Sequence, residues 1–337
     1  MTSKLRLSVL DQSVARAGRP QDESIRQTVA LAERCEALGY HRFWLSEHHA
    51  LPTLVGTAPE VLMAAVAART SRIRIGSAGV MLPHYSPFKV AEQFRVLDAL
   101  APGRIDLGVG RAPGSDQRTA ALLNPDLQSA NDFPQQVMEL QAWVTGEDMP
   151  PGHPGHGIRA LPVHATAPQL WMLGSSGYGA QLAAHLGLPY AFAHFITDGE
   201  GCDAALALYR SAFRPGVIER PMATVCLAAL AAETDEEAWH LFKSRERARV
   251  DRRTGRFGPL LPPEQAVREY TAMERAEAEQ LRRRAIVGSV ARVRDQLLAL
   301  ADELKLDEIA IVTWAWDPVA QRRSYELLAE AFALEGA

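Results

Sequence analysis

Ile105-Asp106-Leu107-Gly108-Val109, followed by Gly110-Arg111, is a short β-rich run that closes on a glycine and an arginine. It is the fourth of eight such runs, the others spanning 5–10, 43–46, 73–78, 169–173, 190–193, 223–230 and 308–313. A segment of helical character follows each run, and that alternation is what βα units in a parallel sheet require. Eight units make the count of a (β/α)8 TIM barrel, an α/β fold.

Working outward, the helices are more plainly marked than the strands. Ile25, Val29, Ala32 and Cys35 recur at three- and four-residue steps, with Asp22 as the expected N-cap and Gly39 as a left-handed stop. Thr234 followed by Glu237 reads as a capping box that opens the helix after the seventh run. Two stretches exceed what a simple barrel needs. Segment 112–168, after the fourth run, holds one helical pattern (135–144) and a Pro/Gly/His stretch (149–157) that regular structure does not accommodate. Segment 251–284, after the seventh, opens on Arg252, Arg253 and Arg256 and becomes a charged helix ending in Arg282, Arg283 and Arg284. Excursions of this length in compact domains serve as lids or binding loops. No linker composition interrupts the chain, so residues 1–337 are expected to form one domain.

Composition narrows the function. Against 40 Asp+Glu the chain sets 36 Lys+Arg, so it lacks the global basic field that drives binding to nucleic acid or anionic membranes. Apolar residues make up 47%, yet every apolar run is broken well short of the ~18 residues a membrane helix needs. Cys35, Cys202 and Cys226 lie far apart, and the first ten residues lack a signal-peptide pattern, so a reducing, cytoplasmic setting is expected.

In a (β/α)8 barrel the site lies where the strands end at their C-terminal side. Four junctions carry chemistry there: Glu47-His48-His49, Gly79-Val80-Met81-Leu82-Pro83-His84, Gly110-Arg111 and Gly174-Ser175-Ser176-Gly177. A Gly/Ser turn that opens a helix exposes free N–H groups and hydroxyls at the positive end of the helix dipole, which suits a phosphate. Arg111, on the neighbouring strand, reaches either the same dianion through a forked pair of hydrogen bonds or a structural carboxylate. Side chains alternate along an extended strand, so Glu47 and His49 face one way and His48 the other, which disfavours three consecutive metal ligands. His48 is then either a general acid/base or a loop-orienting residue. His153, His156 and His164 read as a solvated loop and no metal site is expected. Phe192, Phe195, Trp314 and Trp316 either wall a planar ligand or fill the core.

Taken together and in order, these junctions resemble the bacterial luciferase-like flavin-dependent monooxygenases. The resemblance spans nearly the whole chain and rests on Phe43-Trp44-Leu45-Ser46-Glu47-His48-His49, Gly79-Val80-Met81-Leu82-Pro83, Val90-Ala91-Glu92-Gln93-Phe94, Leu107 through Gly114, Leu173-Gly174-Ser175-Ser176 and Val287-Gly288-Ser289. It implies a barrel that binds reduced FMN, supplied by a separate flavin reductase, and uses O2 to oxygenate a small organic substrate. Arg111, Ser175, Ser176, Gly177 and Tyr178 would hold the flavin phosphate. His48 would act beside the flavin, and a non-prolyl cis peptide would fall at Ala78-Gly79. Segment 251–284 would be an active-site lid that keeps water from the reactive flavin. A homodimer is implied too. Gly110 stands where luciferase has a reactive cysteine, so light emission is not implied. Two other readings of the same pocket are hydride transfer with a deazaflavin and flavin binding without catalysis.

Overall fold

The computed structural model describes residues 5–112 and 114–336; Met1 to Lys4, Ala337 and Pro113, within the Leu107–Gly114 stretch, lie outside the described residues. The first half of the chain runs β1 (Arg6–Asp11), α1 (Gln21–Ala37), β2 (Arg42–Leu45), α2 (Pro59–Ala67), β3 (Arg74–Met81), α3 (Pro87–Leu100), β4 (Ile105–Gly110), α4 (Gln117–Leu123) and α5 (Phe133–Thr145). The second half runs β5 (Gln169–Gly174), α6 (Gly177–Leu186), β6 (Tyr190–Phe192), α7 (His194–Thr197), α8 (Cys202–Ala212), β7 (Ala223–Ala232), α9 (Asp235–Arg253), α10 (Pro263–Ala266), α11 (Ala272–Arg284), β8 (Ile286–Ser289), α12 (Val290–Leu304), β9 (Glu308–Val312) and α13 (Pro318–Ala331).

Eight strands close into a parallel ring: β1 through β7 pair in sequence, β7 pairs with β9, and β9 returns to β1. This is the (β/α)8 barrel that the eight runs predict. The ninth strand is the difference. β7 is 10 residues long, and its end (Ala229–Ala232) runs past the last β9 partner, Ala228↔Val312, and takes β8 as a second partner. β8 lies outside the ring, just past the excursion 251–284, and its four residues including a glycine are too short a pattern to read as a strand.

Alternation along the strands builds two separate cores. Val9, Phe43, Ile75 and Leu107 face outward under the helices, whereas Leu10, Trp44, Trp171, Ala310 and Val312 fill the barrel interior. Below them the barrel floor is ionic. Arg42 donates to Glu308 and Asp106 at 2.8 Å each, Arg74 donates to Asp106 at 2.6 Å, and the Trp44 indole donates to Asp106 at 2.9 Å.

Local signals at two helix starts need correction. Pro20, whose fixed φ suits a helix entrance, is the N-cap of α1, so Asp22 sits in the first turn and pairs with Arg26 at 2.6 Å. Thr234 caps α9 by accepting from the Glu237 N–H, but the Glu237 carboxylate turns to the N–H of Glu233, which leaves the box half formed. The excursion after β4 contains α4 and a 3-10 turn (Ser129–Asp132) in addition to the expected helix.

Candidate active site

A cavity of ≈ 270 Å³ opens at the C-terminal ends of β1 through β7. Its walls are mostly apolar, with Leu10, Ala78, Met81, Phe133, Met172, Leu173, Phe195, Ile196 and Cys226, and its polar groups are Ser46, His48, Arg111, Ser175, Ser176 and Tyr178. Of the residues that the sequence assigns to a flavin site, His48, Ala78, Gly79, Arg111, Ser175, Ser176 and Tyr178 line this one space and Gly177 opens the adjoining α6, whereas Glu47, His49 and His84 from the same junctions do not line it.

Arg111 leaves β4 at the rim, and its guanidinium lies over the Tyr178 ring, 4.2 Å from the centroid. Among the described residues it takes part in no ion pair, so the carboxylate alternative for Arg111 has no counterpart. Facing it is the start of α6, where Ser176 occupies the N-cap position without using its hydroxyl to cap. The Tyr190 hydroxyl instead holds the Ser176 carbonyl at 3.2 Å, which fixes the turn from behind. A cation, two hydroxyls and uncapped N–H groups at a helix start therefore converge on one rim, a donor set that fits a phosphate.

Glu47 and His48 diverge as strand alternation requires. The buried Glu47 carboxylate accepts from the Tyr85 hydroxyl at 2.6 Å and from the Met81 N–H at 3.0 Å, and meets His49 Nε2 at 2.6 Å. It ties the loop after β2 to the loop after β3. His48 points into the cavity with Nδ1 3.2 Å from the Ser46 hydroxyl. Burial, and after it the charge of Arg252, push its pKa down to about 4, so the imidazole is neutral at physiological pH and resists taking a proton until charge in its surroundings changes.

The Ala78–Gly79 peptide is cis, and it lies at an irregularity of the β3–β4 register on the cavity wall. A side chain at Gly79 would collide with Leu173 and the Gly108 carbonyl, so the wall is tightly packed there. Phe195 lines the cavity, whereas Phe192 packs outward under the helices; Trp316 holds the Ala17 carbonyl. His153 meets Glu139 and His164 the Arg95 carbonyl, each securing the excursion after β4. Among the described residues no cluster of His, Cys, Asp or Glu is able to hold a metal, and no helix is long and apolar enough to cross a membrane.

The family model of luciferase-like monooxygenases matches residues 5–307. The chain belongs to the luciferase-like monooxygenase family. It is 38% identical to the N-acetyl-S-alkylcysteine monooxygenase of Bacillus subtilis (strain 168), over 97% of this chain and 98% of that protein. The crystal structure of apo-MsnO8 is 38% identical, covers 99% of this chain and 100% of its own, and superposes with a TM-score of 0.89. The oxygenating constituent of 3,6-diketocamphane monooxygenase from Pseudomonas putida, in complex with FMN, shares the fold at 18% identity and a TM-score of 0.71, over 99% of each chain.

Beside the first cavity this luciferase-like monooxygenase has a second, of ≈ 180 Å³, roofed by α9 and the loop after it and lined by Leu51, Leu54, Arg249, Arg252, Phe257 and Trp314 among others. The roof is pinned: Leu260 exchanges backbone hydrogen bonds with Ala15 and Ala17, and the Thr53 hydroxyl donates to the Gly258 carbonyl. Arg249 escaped the sequence reading, although Arg245, Arg249 and Arg252 stand at i, i+4 and i+7, the spacing of one helical face. Glu47 and Tyr85 form a bond across two loops that no local pattern announces.

Proposed function

We propose that this luciferase-like monooxygenase binds FMN in the larger cavity and, with the flavin reduced by a separate reductase, uses O2 to oxygenate a small organic substrate. The observation that carries the reading is the uncommitted donor set of Arg111, Ser175, Ser176, Gly177 and Tyr178 on one rim of an apolar cavity whose inner wall presents His48. When bound and reduced, FMN supplies the two electrons with which one atom of O2 enters the substrate and the other leaves as water.

The chain's own residues do the rest. Arg111 and the two serines would bind the dianion, with Tyr178 beneath the guanidinium fixing its plane. Met81, Leu173 and the Ala78–Gly79 segment would supply the apolar bed of the ring. His48 exchanges a proton through Nε2, since Nδ1 faces Ser46. Segment 251–284, held through Leu260 and Gly258 over the second cavity, would serve as the lid that excludes water. No nicotinamide fingerprint occurs in the sequence, which agrees with flavin that arrives reduced. Exposed Val61, Val96 and Leu100 line one groove between α2 and α3, and this face supports a homodimer.

Titration with FMN in both redox states, followed by oxygen uptake with reduced FMN, tests the reading. It expects binding and O2 consumption that depends on His48. Absence of FMN binding in either state, or turnover that needs a deazaflavin and no O2, contradicts it.

A further inference from the structure

The second cavity is asymmetric in charge. Its apolar lining comes from Leu51 and Leu54 after β2, Phe257 and Pro259 after α9, and Trp314 after β9. Its cations come from α9 and the segment that follows. Arg247 and Arg256 are paired with Asp251, as is Arg268, which also holds Glu274. On the other face of the helix stand Arg245, Arg249 and Arg252, of which Arg249 pairs with Asp198 at 2.6 Å and Arg245 feels the same carboxylate. Arg245 is buried and its pKa is pushed down to about 10, first by burial and then by Arg249. Arg252 forms no ion pair among the described residues, and its pKa is lowered by burial and by Arg249 and Arg253. One carboxylate against three guanidinium groups on this face leaves an excess of positive charge, with Arg245 buried, Arg249 half-buried and Arg252 exposed at the edge of the cavity that it lines, an arrangement that favours an incoming anion.

That anion is not the flavin phosphate. Arg111 follows β4, and Trp314 follows β9, which stands four strands from β4 in either direction around the ring of eight. The two cavities share no lining residue, so the two cationic sites are separate, and His48 relates to both. It lines the first cavity and is near enough to Arg252 for that charge to act on it.

We propose that the substrate is a small amphiphile, an apolar body ending in a carboxylate, and that Arg252 receives the carboxylate in the second cavity with Arg249 as its neighbour. The apolar body packs on Leu54, Phe257 and Trp314 and brings the atom to be oxygenated towards His48 and the flavin cavity. The inference rests on the flavin reading only in naming this anion a substrate; the anion site itself stands on the arginines. Bound there, a carboxylate offsets the charge of Arg252 and raises the pKa of His48.

Calorimetric titration with a matched pair, 4-phenylbutyrate and 4-phenylbutyramide, tests the site on the full chain, with and without FMN. The acid is expected to bind at least about tenfold more tightly than the amide, and Arg252→Gln to abolish that preference while the amide and FMN bind as before. Arg252→Lys restores part of the preference, and NMR titration of His48 shows its pKa rising when the acid is bound. The Arg252 side chain stands in the last turn of α9 and forms no ion pair among the described residues, so circular dichroism of the variant should match the parent. Equal affinity for acid and amide overturns the proposal. So does a loss of FMN affinity in Arg252→Gln equal to the loss for the acid, which would assign Arg252 to the flavin. Should the acid bind through Arg252 while FMN binds in neither redox state, the anion site stands and the flavin reading falls.

Discussion

Arg42 and Arg111 lie at opposite ends of the same barrel and have opposite electrostatic fates. At the floor, Arg42 is buried between Asp106 and Glu308, with Nε on Glu308, Nη1 on Asp106 and its guanidinium 4.9 Å from the Trp171 ring. At the mouth, Arg111 lies on Tyr178, and among the described residues it meets no carboxylate. The first arrangement is closed and belongs to folding, because a buried charge is tolerated only when paired. The second is open and leaves the forked donor of arginine for a ligand. Side-chain chemistry alone does not separate the two; their partners do. The floor of a barrel reads as stability and the mouth as function.

Breaking the floor should have the largest effect. Arg42→Met leaves the buried Glu308 without its main partner and Asp106 with only Arg74 and Trp44, and should cost about 3–5 kcal/mol in urea unfolding, or prevent folding. A cost under about 1 kcal/mol would mean that the network is not closed as described. His48→Gln at the mouth should reverse the pattern, with oxygenation falling about 10³-fold and stability at neutral pH barely changed.

The same variant carries a pH signature. The folded chain resists protonating His48 until about pH 4, whereas the unfolded chain takes the proton near 6.5. The unfolded state therefore gains protons first, and wild-type stability is lost as pH falls from 6.5 towards 4. His48→Gln should remove part of that loss, and identical pH–stability curves would deny that His48 is held neutral. Next in size, Arg111→Ala should weaken FMN about 10²-fold in a fluorescence titration while unfolding stays within about 0.5 kcal/mol of wild type. Smallest is Ser176→Ala. Since this hydroxyl caps nothing, helix stability should hold and FMN affinity fall only about fivefold, near 1 kcal/mol. A stability loss larger than the affinity loss would make Ser176 a structural cap after all.

The ring of strands was legible because each barrel strand has an apolar run of its own, most of them bounded by glycine, proline or charge, and the mouth was legible because the junction motifs sit directly at strand ends. What escaped reading was made by contacts distant in sequence. β8 exists because β7 overruns the ring, and a four-residue run gives no periodic signal for that. Glu47 reaches Tyr85 across two loops, and Pro20 displaced Asp22 as the cap of α1. The arginine stripe on α9 had a readable period, but its significance depends on Asp251 occupying one face and Asp198 only part of the other.

The central claim is that the Arg111 rim is a phosphate site. Comparing the affinity of the wild-type chain for FMN and for riboflavin, which differ by that phosphate alone, tests it most directly. The account predicts FMN tighter by about 10²-fold, with the difference vanishing in Arg111→Ala. Equal affinity for the two flavins in the wild-type chain would contradict it.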